Sequence, residues 1–344
     1  MPFGKDKDFY QFKKIKYISK GLATYLPDCV SQYLPKHQPQ FSGKGIRKNP
    51  GEAATAHICY SAWMRSLVSL YERELVPELN TVAEIGPGDS LGVGLAALLS
   101  GANNYFAFDI VKTAYNYCNQ DIFEELVLLF KKRAPILNDE EEPKMLPRLK
   151  SYEFPDYIFS DEKLEELLDD VRLDLIRRAL ARLASSQQAE VGGDGEIDIR
   201  YFVPWDESGI MESNSADMIF AAAAMEHVND IDGAYAAAAA WLKRGGIFIN
   251  CVDFKSHGTA GLWNGHWTYS DFTWKLIGGG SQYLINRQPH SAHISEMAKH
   301  FDIVSDITQH KTNLFDKSDL AGGFKILGDD DLTICGAYIV GKKK

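Results

Sequence analysis

Residues 81–110 set the tightest limit on how this chain can fold. Thr81–Ile85 is a short apolar run that ends in the turn Gly86-Pro87-Gly88. Gly92–Leu99 follows as a helix interrupted only by Gly94, and Tyr105–Ile110 is a second short strand carrying Asp109 at its end. Strand, glycine turn, helix and strand make one βαβ unit, which implies parallel strands with helices packed on them. Such a turn presents backbone N–H groups at its tip, and its glycines let a ligand come close to the main chain. An acidic residue at the end of the next strand can hold both hydroxyls of a ribose. Asp109 lies 25 residues after Glu84, near the spacing that geometry needs.

The turn does not fit a dinucleotide. Counted from Gly86, the third glycine of G-x-G-x-x-G falls on Leu91. The frame Gly92-Val-Gly94-Leu-Ala-Ala97 matches G-x-G-x-x-A but starts too far past the strand, with its glycines inside the helix. Glu84, just before the first glycine, would repel a pyrophosphate and suits a ligand with an ammonium group. S-adenosylmethionine carries an ammonium, a sulfonium and no phosphate. A nicotinamide oxidoreductase is disfavoured on the same two residues, Leu91 and Glu84.

The 344 residues are long enough for one large domain or a core with an insertion. We divide them into an N-terminal region, 1–80, and a core, 81–344, interrupted by a helical insertion over 112–196. The first 48 residues hold ten Lys/Arg and three Asp, against a net charge of −10 for the whole chain. Within them Tyr10–Leu34 mixes Lys with apolar residues. It reads as a short amphipathic helical arm that either packs on the core or touches an acidic membrane surface. Ala53–Val76 reads as a helix. In the insertion, Ile122–Lys132 and Asp161–Ala184 read as helices, separated by a Pro-rich loop with the acidic run Asp139–Glu142. A Gly-rich loop, Val191–Glu196, follows them.

The α/β rhythm then resumes. Ile197–Val203 and Asp217–Ala221 read as strands, Ile231–Leu242 as a helix and Gly246–Val252 as a strand. After an irregular aromatic stretch, Ser291–His300 reads as a helix, and Phe301–Thr308 and Leu332–Val340 as a closing antiparallel hairpin. The expected fold class is therefore α/β: a Rossmann-like, mostly parallel sheet with a C-terminal antiparallel hairpin, a helical insertion and an N-terminal helical arm. The acidic balance disfavours a nucleic-acid partner. Five dispersed cysteines without Cys-x-x-Cys spacing read as reduced thiols in a cytoplasmic protein. Met1–Phe12 does not read as a secretory signal, and no uncharged apolar stretch reaches membrane-spanning length, so neither export nor a membrane-spanning helix is expected.

With these residues in place, the chain resembles the class I S-adenosylmethionine-dependent methyltransferases, in particular the type 11-like group. The resemblance rests on Glu84-Ile-Gly86-Pro87-Gly88, Asp109, Asp217-Met-Ile-Phe with Met225-Glu-His227-Val, and Trp241-Leu-Lys-Arg-Gly-Gly-Ile-Phe-Ile. It implies S-adenosylmethionine as cofactor and S-adenosylhomocysteine as product. Gly86, Pro87 and Gly88 would line the methionine part, Glu84 would help anchor its amino group, and Asp109 with Ile110 would meet the ribose. Trp205 and Asp206 would sit beside the adenine, and Ala223 and Met225 would border the reactive methyl group. Four consecutive alanines, Ala221–Ala224, depart from the polar residues common there.

Methyl transfer to an alcohol needs a base. Asp253 and His257, at i and i+4 after the fifth strand, are candidates, with His227 a third. Aromatic and polar residues interleave farther on. His266, Trp267 and Tyr269 suit stacking on a sugar ring and bonding to its hydroxyls, and Asn286 and Arg287 suit a polar or anionic part of the acceptor. Asp253–His257, Trp274-Lys and Asn286-Arg287, with Tyr152-Glu-Phe-Pro155 in the insertion, are similar to a bacterial subgroup linked to surface-polysaccharide and glycan biosynthesis. That second resemblance implies an O-methyltransferase acting on a sugar hydroxyl of a glycan or sugar precursor, with the insertion as acceptor cap. The rivals are a methyltransferase for a small metabolite or lipid hydroxyl, and a catalytically silent cofactor-binding partner subunit. Asp253, His257, His266 and Glu226 could assemble a divalent metal site, but no spacing demands one and none is predicted.

Overall fold

A computed structural model describes residues 14–22, 55–76, 78–115, 118–185, 197–205, 210–280 and 284–344. The expectations for Asp206, for the loop Val191–Glu196 and for most of the basic arm lie outside these residues. Of the arm, residues 14–22 are helical.

The elements in chain order are α1 (Ala56–Tyr71), β1 (Thr81–Ile85), α2 (Gly92–Leu99), β2 (Asn104–Phe108), α3 (Asn119–Lys131), α4 (Asp161–Leu167) and α5 (Asp170–Ser185). They continue with β3 (Asp198–Phe202), β4 (Ala216–Ala222), α6 (Ile231–Trp241), β5 (Leu242–Asp253), α7 (Asp271–Gly278), α8 (His290–Ala298), β6 (Phe301–His310) and β7 (Ile334–Lys343). The strands form one seven-stranded sheet in the order β3-β2-β1-β4-β5-β7-β6. Strands β1 to β5 pair in parallel, and β7 runs antiparallel to both β5 and β6. The expected α/β sheet with its closing hairpin is what forms.

The sheet is covered on both faces, so its central strands read as apolar runs without alternation. All five residues of β1 are buried. One core cluster gathers Trp63, Phe123, Phe130, Ile176 and Tyr105 beneath α1 to α5. The other gathers Phe108, Tyr235, Trp241, Phe248 and Met297 beneath α6 and α8. The segment 112–196 is thus more than an appended cap, because its helices complete the layer on the first face. Its long helical span is also two helices. Asp169 interrupts it by accepting from Val171 N at 2.9 Å, the local bond of a helix start. The aromatic stretch contains helix α7, which its lack of clean periodicity hides. None of the helices among the described residues is long and apolar enough to cross a membrane.

After β1 the chain steps outward to β2 and β3, then returns to the other side of β1 for β4 and β5. In open parallel sheets the crevice at that reversal, beyond the carboxyl ends of the strands, is where ligands bind.

Candidate active site

The crevice is present. A cavity of about 490 Å³ opens at the ends of β1, β4 and β5. Its floor is Glu84, the turn Gly86-Pro87-Gly88, Ala223 and Asp253. Its walls include Ile58, Cys59 and Ala62 of α1 and Lys144, Met145 and Leu146 of the loop between α3 and α4.

The turn owes its shape to two glycines. Gly86 and Gly88 take φ of +70° and +69°, where a Cβ is strained, and a Cβ on Gly86 would also press on Ala224. Gly92 and Gly94 serve packing. A Cβ on Gly92 would run into Cys59, and one on Gly94 would overlap the Tyr105 ring. The space at Gly94 lets the Tyr105 hydroxyl donate to the Glu84 carboxylate. Burial, aided by the charge of Asp109, pushes the Glu84 carboxyl up to about 7 despite that bond.

Asp109 follows β2 and caps its own turn. Its Oδ1 accepts from Ile110 N at 2.7 Å and Val111 N at 3.3 Å, and its Oδ2 from Thr113 Oγ1 at 3.3 Å. Thr113 Oγ1 also donates to Gly88 O at 2.8 Å, so Asp109 and the glycine turn are tied through one side chain. Trp205 is half-buried against Phe108 and Trp241. Ala223 takes φ +53° and donates its N–H to Cys251 O at 2.8 Å. Met225 is buried in the second core cluster, and Asn286 Nδ2 donates to its carbonyl at 2.8 Å.

At the end of β5, Asp253 Oδ2 lies 3.4 Å from His257 Nε2, while Lys255 Nζ donates to Asp253 Oδ1 at 2.6 Å. Burial would raise the Asp253 carboxyl, but His257 and Lys255 outweigh it and hold it below its usual range. The His227 and His257 rings meet edge to face, with centroids 5.2 Å apart. Behind them Glu226 is 3 % exposed, and burial pushes its carboxyl up to about 8.

The structure does not gather the expected acceptor residues on the cavity. His266, Trp267 and Tyr269 are buried, and none of the three lines it. Burial, then Arg287 and His257, bring the His266 imidazole down to about 3. Trp267 Nε1 donates to Arg287 O at 3.0 Å. Arg287 lies between the Trp274 and Phe324 rings, each 4.8 Å away, and donates to Tyr269 O at 2.8 Å and to Asp271 at 2.6 Å. Asn286 bonds Met225 O and Val228 O. Asn286 thus ties the segment after β5 to the turn after β4, and Trp267, Tyr269 and Arg287 brace that segment from within.

Sequence reasoning had no signal for α1 and the 137–147 loop as cavity walls. Arg65 joins them: it is fully buried and donates to Leu137 O at 2.6 Å, Met145 O at 2.7 Å, Pro147 O at 3.2 Å and Asp139 at 3.1 Å.

A methyltransferase-domain family model matches residues 170–250, from α5 into β5. The chain is an S-adenosylmethionine-dependent methyltransferase. The cleft fits that cofactor. Its lining sets the Glu84 carboxylate beside the glycine turn, with Lys144 and Lys255 farther round the rim, and Asp109 is tied to that turn through Thr113. Among solved structures, this methyltransferase is similar to a provisionally named sarcosine dimethylglycine methyltransferase from Galdieria sulphuraria. The identity is 12%, with 83% of this chain and 85% of that one covered, and a TM-score of 0.41. An S-adenosylmethionine-dependent methyltransferase from Mesorhizobium loti is 11% identical, with 85% and 100% covered and a TM-score of 0.38. Likenesses of this degree say nothing about the acceptor. No curated protein matches the sequence.

Proposed function

We propose that this methyltransferase alkylates a hydroxyl group, with the cofactor held along Glu84–Gly88 and Asp109 and the acceptor in the adjoining cavity. The observation that carries the reading is Asp253, which lines the cavity with the glycine turn and has His257 Nε2 3.4 Å from its Oδ2. S-adenosylmethionine supplies an electrophilic methyl on sulfur. The bound cofactor would give that methyl to the acceptor oxygen and leave as S-adenosylhomocysteine, while His257, oriented by Asp253, would take the hydroxyl proton. Glu84 holds the ammonium, and its buried carboxyl becomes anionic as that charge arrives. The loop 137–147 and α1 close the acceptor side and exclude water.

A sugar hydroxyl is the favoured acceptor, supported by the sequence resemblance of Asp253–His257 and the residues around Trp274 and Asn286. A hydroxyl on a small metabolite or lipid is favoured instead by the apolar walls Ile58, Ala62, Met145 and Leu146. The segment 112–196 acts as the acceptor cap through its 137–147 loop, in a protein working in the cytoplasm. The basic arm would add contact with an acidic membrane.

Incubation with methyl-labelled cofactor and fractionated cell extract tests the reading. Label in glycan or sugar-nucleotide fractions supports the sugar acceptor, and label confined to extracted lipid or small metabolites supports the other. S-adenosylhomocysteine that never forms, whatever the acceptor, would overturn hydroxyl transfer and leave a silent partner subunit.

A further inference from the structure

The short turn after β4, residues Met225–His227, carries a group that the methyl-transfer reading leaves unused. The Glu226 side chain is 4 % exposed, and no described group meets hydrogen-bond geometry with either of its oxygens. The backbone amides of Glu226 and Asp253 lie close enough to ease its charge, but neither completes a bond. A buried carboxylate without a partner is costly to hold.

Two imidazoles face it. His257 Nε2 lies 3.9 Å from Glu226 Oε1 and is itself buried without a hydrogen-bond partner among the described residues. His257 also sits at φ +44°, a strained backbone position of the kind found where a side chain must be aimed. One ligand atom from each of Glu226, His227 and His257 lies within 4.8 Å of the other two. Asp253 Oδ2 lies 3.4 Å from His257 Nε2, on the edge of the group.

We infer that Glu226, His227 and His257 bind one divalent transition-metal ion of the zinc type and leave its fourth position open. Two imidazoles and a carboxylate form a donor set for zinc and its neighbours, whereas magnesium and calcium take oxygen. A tetrahedral ion with bonds of about 2.0–2.1 Å sets its ligand atoms about 3.3 Å apart. His257 Nε2 and Glu226 Oε1 stand 3.9 Å apart, and the three donors close by up to about 1.5 Å on binding. The ion neutralises the carboxylate that the protein leaves buried and alone.

The use of such an ion rests on the methyl-transfer reading, while its binding rests on geometry. A zinc-type ion lowers the pKa of a hydroxyl that reaches it. His257 Nε2 cannot hold the ion and also take the proton, so in the loaded enzyme acidification of the acceptor replaces proton transfer to His257.

The test is calorimetric titration of chelator-stripped full-length protein with zinc chloride, together with the visible spectrum of the cobalt(II) form. We expect one ion per chain and the absorption of a four-coordinate cobalt centre. In Glu226→Gln and His257→Ala, zinc affinity falls by at least about tenfold and the cobalt signature disappears. His310→Ala, on an exposed histidine of β6, binds as the wild type does. Far-UV dichroism in chelator checks the fold. Glu226→Gln also removes the buried charge, so it decides the matter should His257→Ala fail to fold. A stripped wild type that takes up no zinc, or a Glu226→Gln protein that binds it as tightly, overturns the inference. S-adenosylhomocysteine titrated in chelator separates the two readings: cofactor binding without zinc binding removes only the ion, and the reverse removes only the transfer.

Discussion

Tyr105 on β2 donates its hydroxyl hydrogen to the carboxylate of Glu84 on β1. The two side chains meet because Gly94 on α2 leaves the ring its space. Among the described residues the phenol is the one polar side chain that offsets burial of the carboxylate on the floor of the cleft. Tyr105→Phe therefore leaves that carboxylate less satisfied. We expect a loss of roughly 1–3 kcal/mol in urea denaturation near pH 8, where Glu84 is ionised. Unchanged stability would show that the bond contributes nothing.

Glu84 also gives the protein a pH signature. Its carboxyl titrates at about 7 when folded, against 4.5 ordinarily. A carboxyl that binds its proton more tightly in the folded state stabilises the fold fully below pH 4.5. That contribution is lost as the pH rises through 7. Between about pH 5 and pH 8 the cofactor-free protein should lose on the order of 1–3 kcal/mol through this group. Glu84→Gln should flatten the profile, and urea titrations at both pH values measure it. A variant with the wild-type slope contradicts the assignment.

The two turn glycines make a paired test. Both need φ near +70°, but only Gly86 faces Ala224. Gly88→Ala should cost about 1–2 kcal/mol for the backbone alone. Gly86→Ala should cost more, and should weaken S-adenosylhomocysteine binding in calorimetry. Equal thermal shifts for the two variants would remove Ala224 from the argument.

Arg65 anchors the cavity wall. Replacement by Met keeps the bulk and removes four hydrogen bonds to the 137–147 loop. We expect a stability loss of roughly 2–4 kcal/mol and faster limited proteolysis within that loop, with turnover reduced. Wild-type cleavage kinetics would mean that the loop holds itself in place.

His257→Ala separates chemistry from binding. Turnover should fall by about 10²-fold or more while S-adenosylhomocysteine affinity stays within a few-fold of wild type. Unchanged turnover excludes His257 from proton transfer.

Much of this was legible in the sequence, and the exceptions have physical causes. β1 and β2 are short apolar runs around a glycine turn, and the turn fixes their relation. The hairpin of β6 and β7 is local and shows its pattern. Helix α7 is hidden because its Trp274 and Ile277 are buried with Tyr269 and Ile285 and against Tyr17 and Ile18 of the arm, partners that no periodicity announces, just as Trp267 before it packs on Leu320, Leu327 and Leu332. The same burial withdraws His266, Trp267, Tyr269, Asn286 and Arg287 from the cavity, since an aromatic–polar run looks alike on a binding face and in a core. The cavity walls escaped because Arg65 meets its partners more than seventy positions away.

The most direct test is a crystal structure grown with saturating S-adenosylhomocysteine. The amino group should lie at Glu84, the ribose hydroxyls at Asp109, and the sulfur should face the cavity beside Asp253. A bare glycine turn, or the ligand bound somewhere else, would contradict the assignment of this cleft.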